Sequence, residues 1–177
     1  MRGKYMKDYI VTKDKYRDWC VPPESPELIH SKDSARKTDG TLLATAYYYR
    51  MLHYMQKFAK LQGKTADAQE FAALAEHIKN AFNKKFFNKQ RNYYSNNTVT
   101  ANVLPLYFGI TPDSLSERVF NNIVSKVHSE NHDHISTGVI GTQWLMRGLS
   151  KFQRPELAFT LASNTSYPSW GYMAEHG

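Results

Sequence analysis

The feature that most constrains this chain is an alternation along its helices. One is apolar around most of its circumference, and the next is apolar on a single stripe. The segment from about Gly40 to Gln62, opened by Thr38-Asp39 and stopped by Gly63, carries Leu42, Leu43, Ala46, Tyr47, Tyr49 and Leu52. Those residues face nearly every direction from a helix axis, which predicts burial on more than one side. The following helix opens at Asp67-Ala68-Gln69-Glu70, which has the form of a capping box. It sets Phe71, Leu74, Ala75, Ile78, Phe82 and Phe86 on one 3.6-residue stripe with charges opposite. Thr98 to about Gly109 is again nearly uncharged, and Pro105 is expected to kink or break it. The helix from Pro112-Asp113 is amphipathic through Leu115, Val119, Ile123 and Val127. Ser136 to about Leu149 is apolar, with Gly138 and Gly141 permitting close packing, and a sixth helix runs from Pro155 to about Ser163. Buried helices alternating with half-wet ones predict two concentric layers: an all-α fold, an α/α toroid of helical hairpins. A helical-repeat solenoid also stacks helix pairs, but these hairpins differ in length and share no residue pattern. No strand-period run is evident.

Two stretches fall outside the alternation. Lys4 to Val11 reads as the end of a helix, with Tyr5, Met6, Tyr9 and Ile10 on one side. From Thr12 to Lys37, Pro22, Pro23 and Pro26 forbid regular helix. A connection longer than ~12–15 residues is commonly functional, and Trp19 argues for order, because burying an indole gains ~1.5–3 kcal/mol. The loop is expected to fold over something. Asn88 to Asn97 reads as a short polar-aromatic turn. At the far end Tyr167, Trp170 and Tyr172 are interrupted by Pro168 and Gly171. Aromatics on so constrained a turn are expected to wall a pocket rather than line a helix stripe.

Composition excludes several classes. With one cysteine, Cys20, there is no internal disulfide and no multi-cysteine metal site; Cys20 is expected to be a small buried hydrophobe beside Trp19. The net charge of +7 comes from dispersed residues such as Lys57, Lys60, Lys64, Lys79, Lys84 and Lys85. Their helical spacing reads as a solvated face, so nucleic acid is not expected as a partner. No run reaches the ~18 apolar residues of a membrane span, so no membrane partner is expected. Met1 to Lys7 has no apolar core for a secretory signal. Phosphate loops, zinc spacings and nucleophile elbows are missing from the sequence, and no cofactor is expected.

Candidate chemistry is sparse. Asp18-Trp19 pairs a carboxylate with an indole: the ring suits an apolar sugar face, the carboxylate its hydroxyls. The alternative is a Trp plugging the loop onto the core. His132-Asp133-His134, with His128 nearby, has a metal-like spacing but no evident further ligands, so no metal is expected. His134, just before a helix, is better placed to face a pocket. Trp170 belongs to the aromatic turn. Glu175-His176 suits acid-base work, yet glycoside hydrolysis requires two carboxyl groups across the scissile bond, and Glu175 alone does not make such a pair.

Four stretches together resemble the bacterial α-L-rhamnosidases: Tyr16-Arg17-Asp18-Trp19, where that family usually carries Tyr-Gly-Asp-Trp; TVTANVLPL from Thr98; HISTGVIGT from His134; and YPSWGYM from Tyr167. The resemblance implies an inverting glycoside hydrolase with an (α/α)6 catalytic toroid. Residues 1–177 would be a fragment of one such domain, about three hairpins and part of a subsite wall. Asp18, Trp19, His134 and Trp170 are the residues expected to face substrate, and the resemblance places Trp19 among the sugar-contacting aromatics. It puts the general acid in an upstream Asp-Cys-Pro-x-Arg-Glu type segment without counterpart here. The general base would be a Glu beyond a Gly matching Gly177, so Glu175 would be a neighbour of the base and the fragment inactive. Exposed flanks of its inner helices would favour self-association. The alternative function is a non-catalytic helical carbohydrate-binding or scaffold domain.

Overall fold

The computed structural model describes residues 5–176. Six helices form three antiparallel hairpins: α1 (Gly40–Leu61) with α2 (Thr65–Phe86), α3 (Val99–Phe108) with α4 (Asp113–Ser125), and α5 (Val139–Lys151) with α6 (Pro155–Ser163). A short α7 (Trp170–His176) follows and packs on α6. α1 also packs on α3, and α3 on α5, so α1, α3 and α5 make one layer backed by α2, α4 and α6. That is the inner and outer arrangement of an α/α toroid.

Burial follows the alternation. In α3 every residue from Val99 to Leu106 is buried, whereas α4 buries only Val119, Ile123 and Val124. α2 buries Leu74, Ala75, Ile78, Phe82 and Phe86, which is the expected stripe. The first half of α1 is buried on several sides, but Met51, Tyr54, Met55, Phe58 and Leu61 in its second half are exposed. Trp144 of α5 joins the inner helices: its indole N–H donates to the Tyr47 hydroxyl at 2.6 Å, and the Arg50 guanidinium lies 4.1 Å from its ring. Tyr94 is fully buried and donates to Asn83 Oδ1 at 2.7 Å; burial pushes its phenol well above the ordinary value.

Several boundaries depart from the sequence reading. Met6–Lys7 and Ile10–Val11 form a small antiparallel hairpin (β1, β2), not a helix end. Asp8 and Tyr9 take positive φ between the strands, which no helix permits, and Val11 N–H donates to Thr45 Oγ1 at 3.0 Å. Lys4, assigned to that helix, lies outside the described residues. A second hairpin, Phe87–Asn88 with Tyr93–Tyr94 (β3, β4), makes the turn expected at 88–97. Asp39 caps α1 as expected, accepting from Thr41 N–H at 2.8 Å. The capping box at Asp67 does not form: α2 begins at Thr65, Lys64 at its start makes no side-chain cap, and Asp67 sits inside the first turn. There its charge still complements the helix N-terminus. α3 runs through Pro105 rather than breaking there. Only its last turn follows the proline, and Gly109 at φ +79° closes it. α5 starts at Val139, leaving 136–138 outside the helix, and α7 is helical through Gly171, where a constrained turn was expected.

Candidate functional site

Asp18 organises the site. Its side chain is buried in an otherwise irregular loop, and both oxygens are occupied. Oδ2 accepts from Gly138 N–H at 2.9 Å and from the Thr100 hydroxyl. Oδ1 accepts from Gly141 N–H at 3.0 Å and Ile140 N–H at 3.2 Å. These amides are the first donors of α5, which lack partners within the helix, and a carboxylate is favoured against the positive end of its dipole. The neighbouring Trp19 carbonyl accepts from Val139 N–H at 2.8 Å. Both glycines are required for this approach. A Cβ on Gly138 would lie 2.7 Å from Asp18 Oδ1, and one on Gly141 would lie 2.6 Å from Oδ2. The sequence stretches around Asp18, Thr100 and Gly138-Gly141 therefore meet at a single carboxylate.

With Asp18 turned inward, Trp19 and Cys20 are held outward. Trp19 is 62% exposed, so it is no plug on the core, and the order of the loop comes from Asp18 instead. Cys20 is exposed, not the buried hydrophobe expected; its positive φ turns it out of the protein beside a cavity. The rest of the loop is fastened locally. Glu24 accepts from Asp33 N–H at 2.6 Å, and Arg36 reaches the Pro22 and Pro23 carbonyls at 3.4 Å. The terminal aromatic segment ties on from the other side: Tyr167 OH donates to the Pro23 carbonyl at 2.9 Å, and burial raises its phenol above the ordinary value. The Tyr167–Pro168 peptide is cis. Gly171 allows α7 to press on the preceding turn, where a Cβ would meet the Asn164 carbonyl at 2.6 Å.

The space enclosed by loop, α5 and α7 is a cavity of about 690 Å³. Its walls include Cys20, Pro22, Ile29, Val139, Met146, Tyr167, Trp170 and Met173. Trp170 lines it as the aromatic turn suggested. Asp18 does not, because its carboxylate is sealed under α5 and has no free oxygen to offer a sugar hydroxyl. Trp19 is not part of the wall; it immediately precedes Cys20, which is. His134 lies outside the wall, its ring bonded to the His132 carbonyl at 2.6 Å and Ser166 Oγ at 2.8 Å. The neighbouring His128 pairs with Asp133 at 2.5 Å. Glu175 is exposed on α7 and does not reach the cavity. No described carboxylate lines it. Gly177, used to place the general base, lies outside the described residues. Sequence reasoning missed the anchoring role of Thr100, Gly138 and Gly141. The signal was a Gly-x-x-Gly at a helix start that had no capping side chain of its own.

Two layers of helical hairpins, with an aromatic-walled cavity at the start of an inner helix, define an α/α-toroid domain. The chain belongs to the bacterial alpha-L-rhamnosidase 6 hairpin glycosidase domain family, whose profile matches residues 2–177. An alpha-L-rhamnosidase of Formosa agariphila is 31% identical over 171 residues, covering 94% of this chain and 17% of that protein. The solved alpha-L-rhamnosidase of Dictyoglumus thermophilum superposes with a TM-score of 0.86 at 32% identity, over 98% of this chain and 19% of that one. The Streptomyces avermitilis enzyme, solved in complex with L-rhamnose, gives 0.83 at 25% identity, over 98% and 15%. The chain thus spans less than a fifth of the length of these relatives.

Proposed function

We propose that these residues are part of an α-L-rhamnosidase that releases terminal α-L-rhamnosyl units from glycosides or polysaccharides with inversion, and that they form about three hairpins of its catalytic toroid. The observation that carries this reading is the family match along residues 2–177. Trp170, which lines the cavity, and the exposed Trp19, one residue before the wall residue Cys20, serve as the sugar-facing aromatics. An indole face matches the apolar face of a deoxyhexose. Asp18 acts at one remove, by fixing Trp19. His134 stays outside the wall and bonds Ser166, just ahead of the aromatic segment. Glu175 is not assigned the chemistry. Inversion requires one carboxylic acid and one carboxylate with room for water between them, and no described carboxyl group faces the cavity.

By itself the 177-residue chain is therefore catalytically silent. Incubation with 4-nitrophenyl α-L-rhamnoside is expected to release nitrophenol no faster than buffer; sustained turnover would show that the acid and base have been misplaced. The exposed apolar residues Met51, Tyr54, Met55, Phe58 and Leu61 give α1 a sticky flank. The same sample should self-associate with rising concentration in sedimentation velocity, and a strictly monomeric profile rejects that part.

A further inference from the structure

We infer that Arg50, Arg147 and Lys151 form a binding site for an acidic sugar, a uronate of the glycan this domain handles; this rests on the rhamnosidase reading above. The fold gathers cations that the sequence keeps far apart, Arg50 from α1 and the other two from α5. All three lie on one aromatic cluster. The Arg50 guanidinium is 4.1 Å from the Trp144 ring and 4.7 Å from Phe108, and the Arg147 guanidinium is 5.4 Å from the same indole. Lys151 Nζ sits 4.9 Å from the ring of Tyr107, which in turn lies 5.0 Å from Trp144. Among the described residues no carboxylate forms an ion pair with any of the three, and the only hydrogen bond their side chains make is from Arg50 to the Tyr54 hydroxyl. Like charges held together without a counter-charge repel, and a carboxylate placed among them relieves that. A guanidinium offers a planar fork of donors that matches a carboxylate, and Arg147 and Lys151 are exposed. Tyr54, exposed beside Arg50, adds a ring for the apolar face of a pyranose. Arg147 stands one helical turn beyond Gln143 of the cavity wall, so a glycan running along α5 meets it. So compact a patch suits one sugar carboxylate better than a phosphate backbone, whose binding needs a long track of cations.

Calorimetric titration of the 177-residue chain at low salt with trigalacturonate, its neutral methyl ester, methyl α-L-rhamnoside and a short single-stranded DNA tests this. The acid is expected to bind about tenfold more tightly than the ester, as one charge-assisted contact implies. Arg147 and Lys151 are exposed, so the Arg147→Gln, Lys151→Gln double variant should fold. It is expected to erase most of the preference for the acid. Lys84→Gln, Lys85→Gln, which removes the same charge from exposed positions in the last turn of α2, should leave the preference in place. Equal losses in the two double variants would reduce the effect to general attraction by a basic protein and overturn the inference. Equal affinity for acid and ester, with methyl rhamnoside bound, overturns it and leaves the rhamnosidase reading intact. Binding of no sugar at all overturns both. DNA bound more tightly than trigalacturonate makes the patch a nucleic-acid surface and also rejects the inference.

Discussion

Asp18 and Glu24 belong to one loop and both accept backbone N–H groups, but their surroundings differ. Asp18 is buried and joins the loop to α3 and α5 across more than eighty residues. Glu24 is exposed and joins the loop only to itself, at Ser31, Lys32 and Asp33. Water can replace a lost acceptor at the second site and has little access to the first. The comparison teaches that Trp19 is positioned by a tertiary contact at the residue before it, while the local fastening shapes the loop's outer course.

The largest effect should come from Asp18→Ala. Removing the carboxylate leaves the N–H groups of Gly138, Ile140 and Gly141 and the Thr100 hydroxyl without their acceptor. An unmet buried donor costs roughly 1–3 kcal/mol, and some will find water, so a loss of about 3 kcal/mol is expected in urea denaturation. Asp18→Asn should fall between, since its amide sets a donor against donors. A loss below about 1 kcal/mol would mean that the buried site tolerates water as the exposed one does, and the contrast would collapse.

The clasp also bears on the backbone of Arg17. Arg17, where the family usually has Gly, sits at φ +55°, held between the Asp14 turn and the Asp18 anchor. A left-handed conformation costs a side-chain-bearing residue ~1–2 kcal/mol, part of which glycine returns through greater freedom when unfolded. Arg17→Gly is therefore expected to raise stability by roughly 0.5 kcal/mol in the wild-type background. In Asp18→Ala, with the anchor gone, the gain should shrink. An equal gain in both backgrounds would show that the clasp does not impose the strain.

The layering was legible because it is periodic. Val99 to Leu106 in α3 and the stripe of α2 announce their surroundings through residue type and spacing alone. The site was only half legible. Trp19 and Trp170 were found as aromatics in constrained segments, but Asp18 was read as a sugar ligand. A carboxylate beside an indole looks the same in sequence whether it faces solvent or a helix start over a hundred residues away. Burial of Asp18 is a property of Gly138 and Gly141, which admit it. The hairpin at 6–11 was missed for a related reason: its register depends on Val11 meeting Thr45 of α1, a contact that no local pattern encodes.

The smallest effect is the one that defines the exposed half of the comparison. Partial desolvation alone would raise the Glu24 pKa, but hydrogen bonds from its own N–H, Asp33 N–H, the Ser31 hydroxyl and Lys32 N–H outweigh it and hold the carboxyl below its ordinary value. The unfolded chain, with Glu near ~4.3, therefore takes up a proton first on acidification. The stabilising contribution is present above that value and is lost as pH falls through the lower folded pKa. Amide exchange at Lys32 and Asp33, corrected for intrinsic rates, should lose protection over that acid range in the wild type. In Glu24→Gln it should be weaker at neutral pH and largely independent of pH. At neutral pH Gly138 and Gly141 should keep the same protection in both proteins, because the Asp18 contact does not depend on Glu24. Simultaneous loss at Asp33 and Gly141 would mean that the loop unfastens as one unit, and the distinction between a deep anchor and a surface staple would fail.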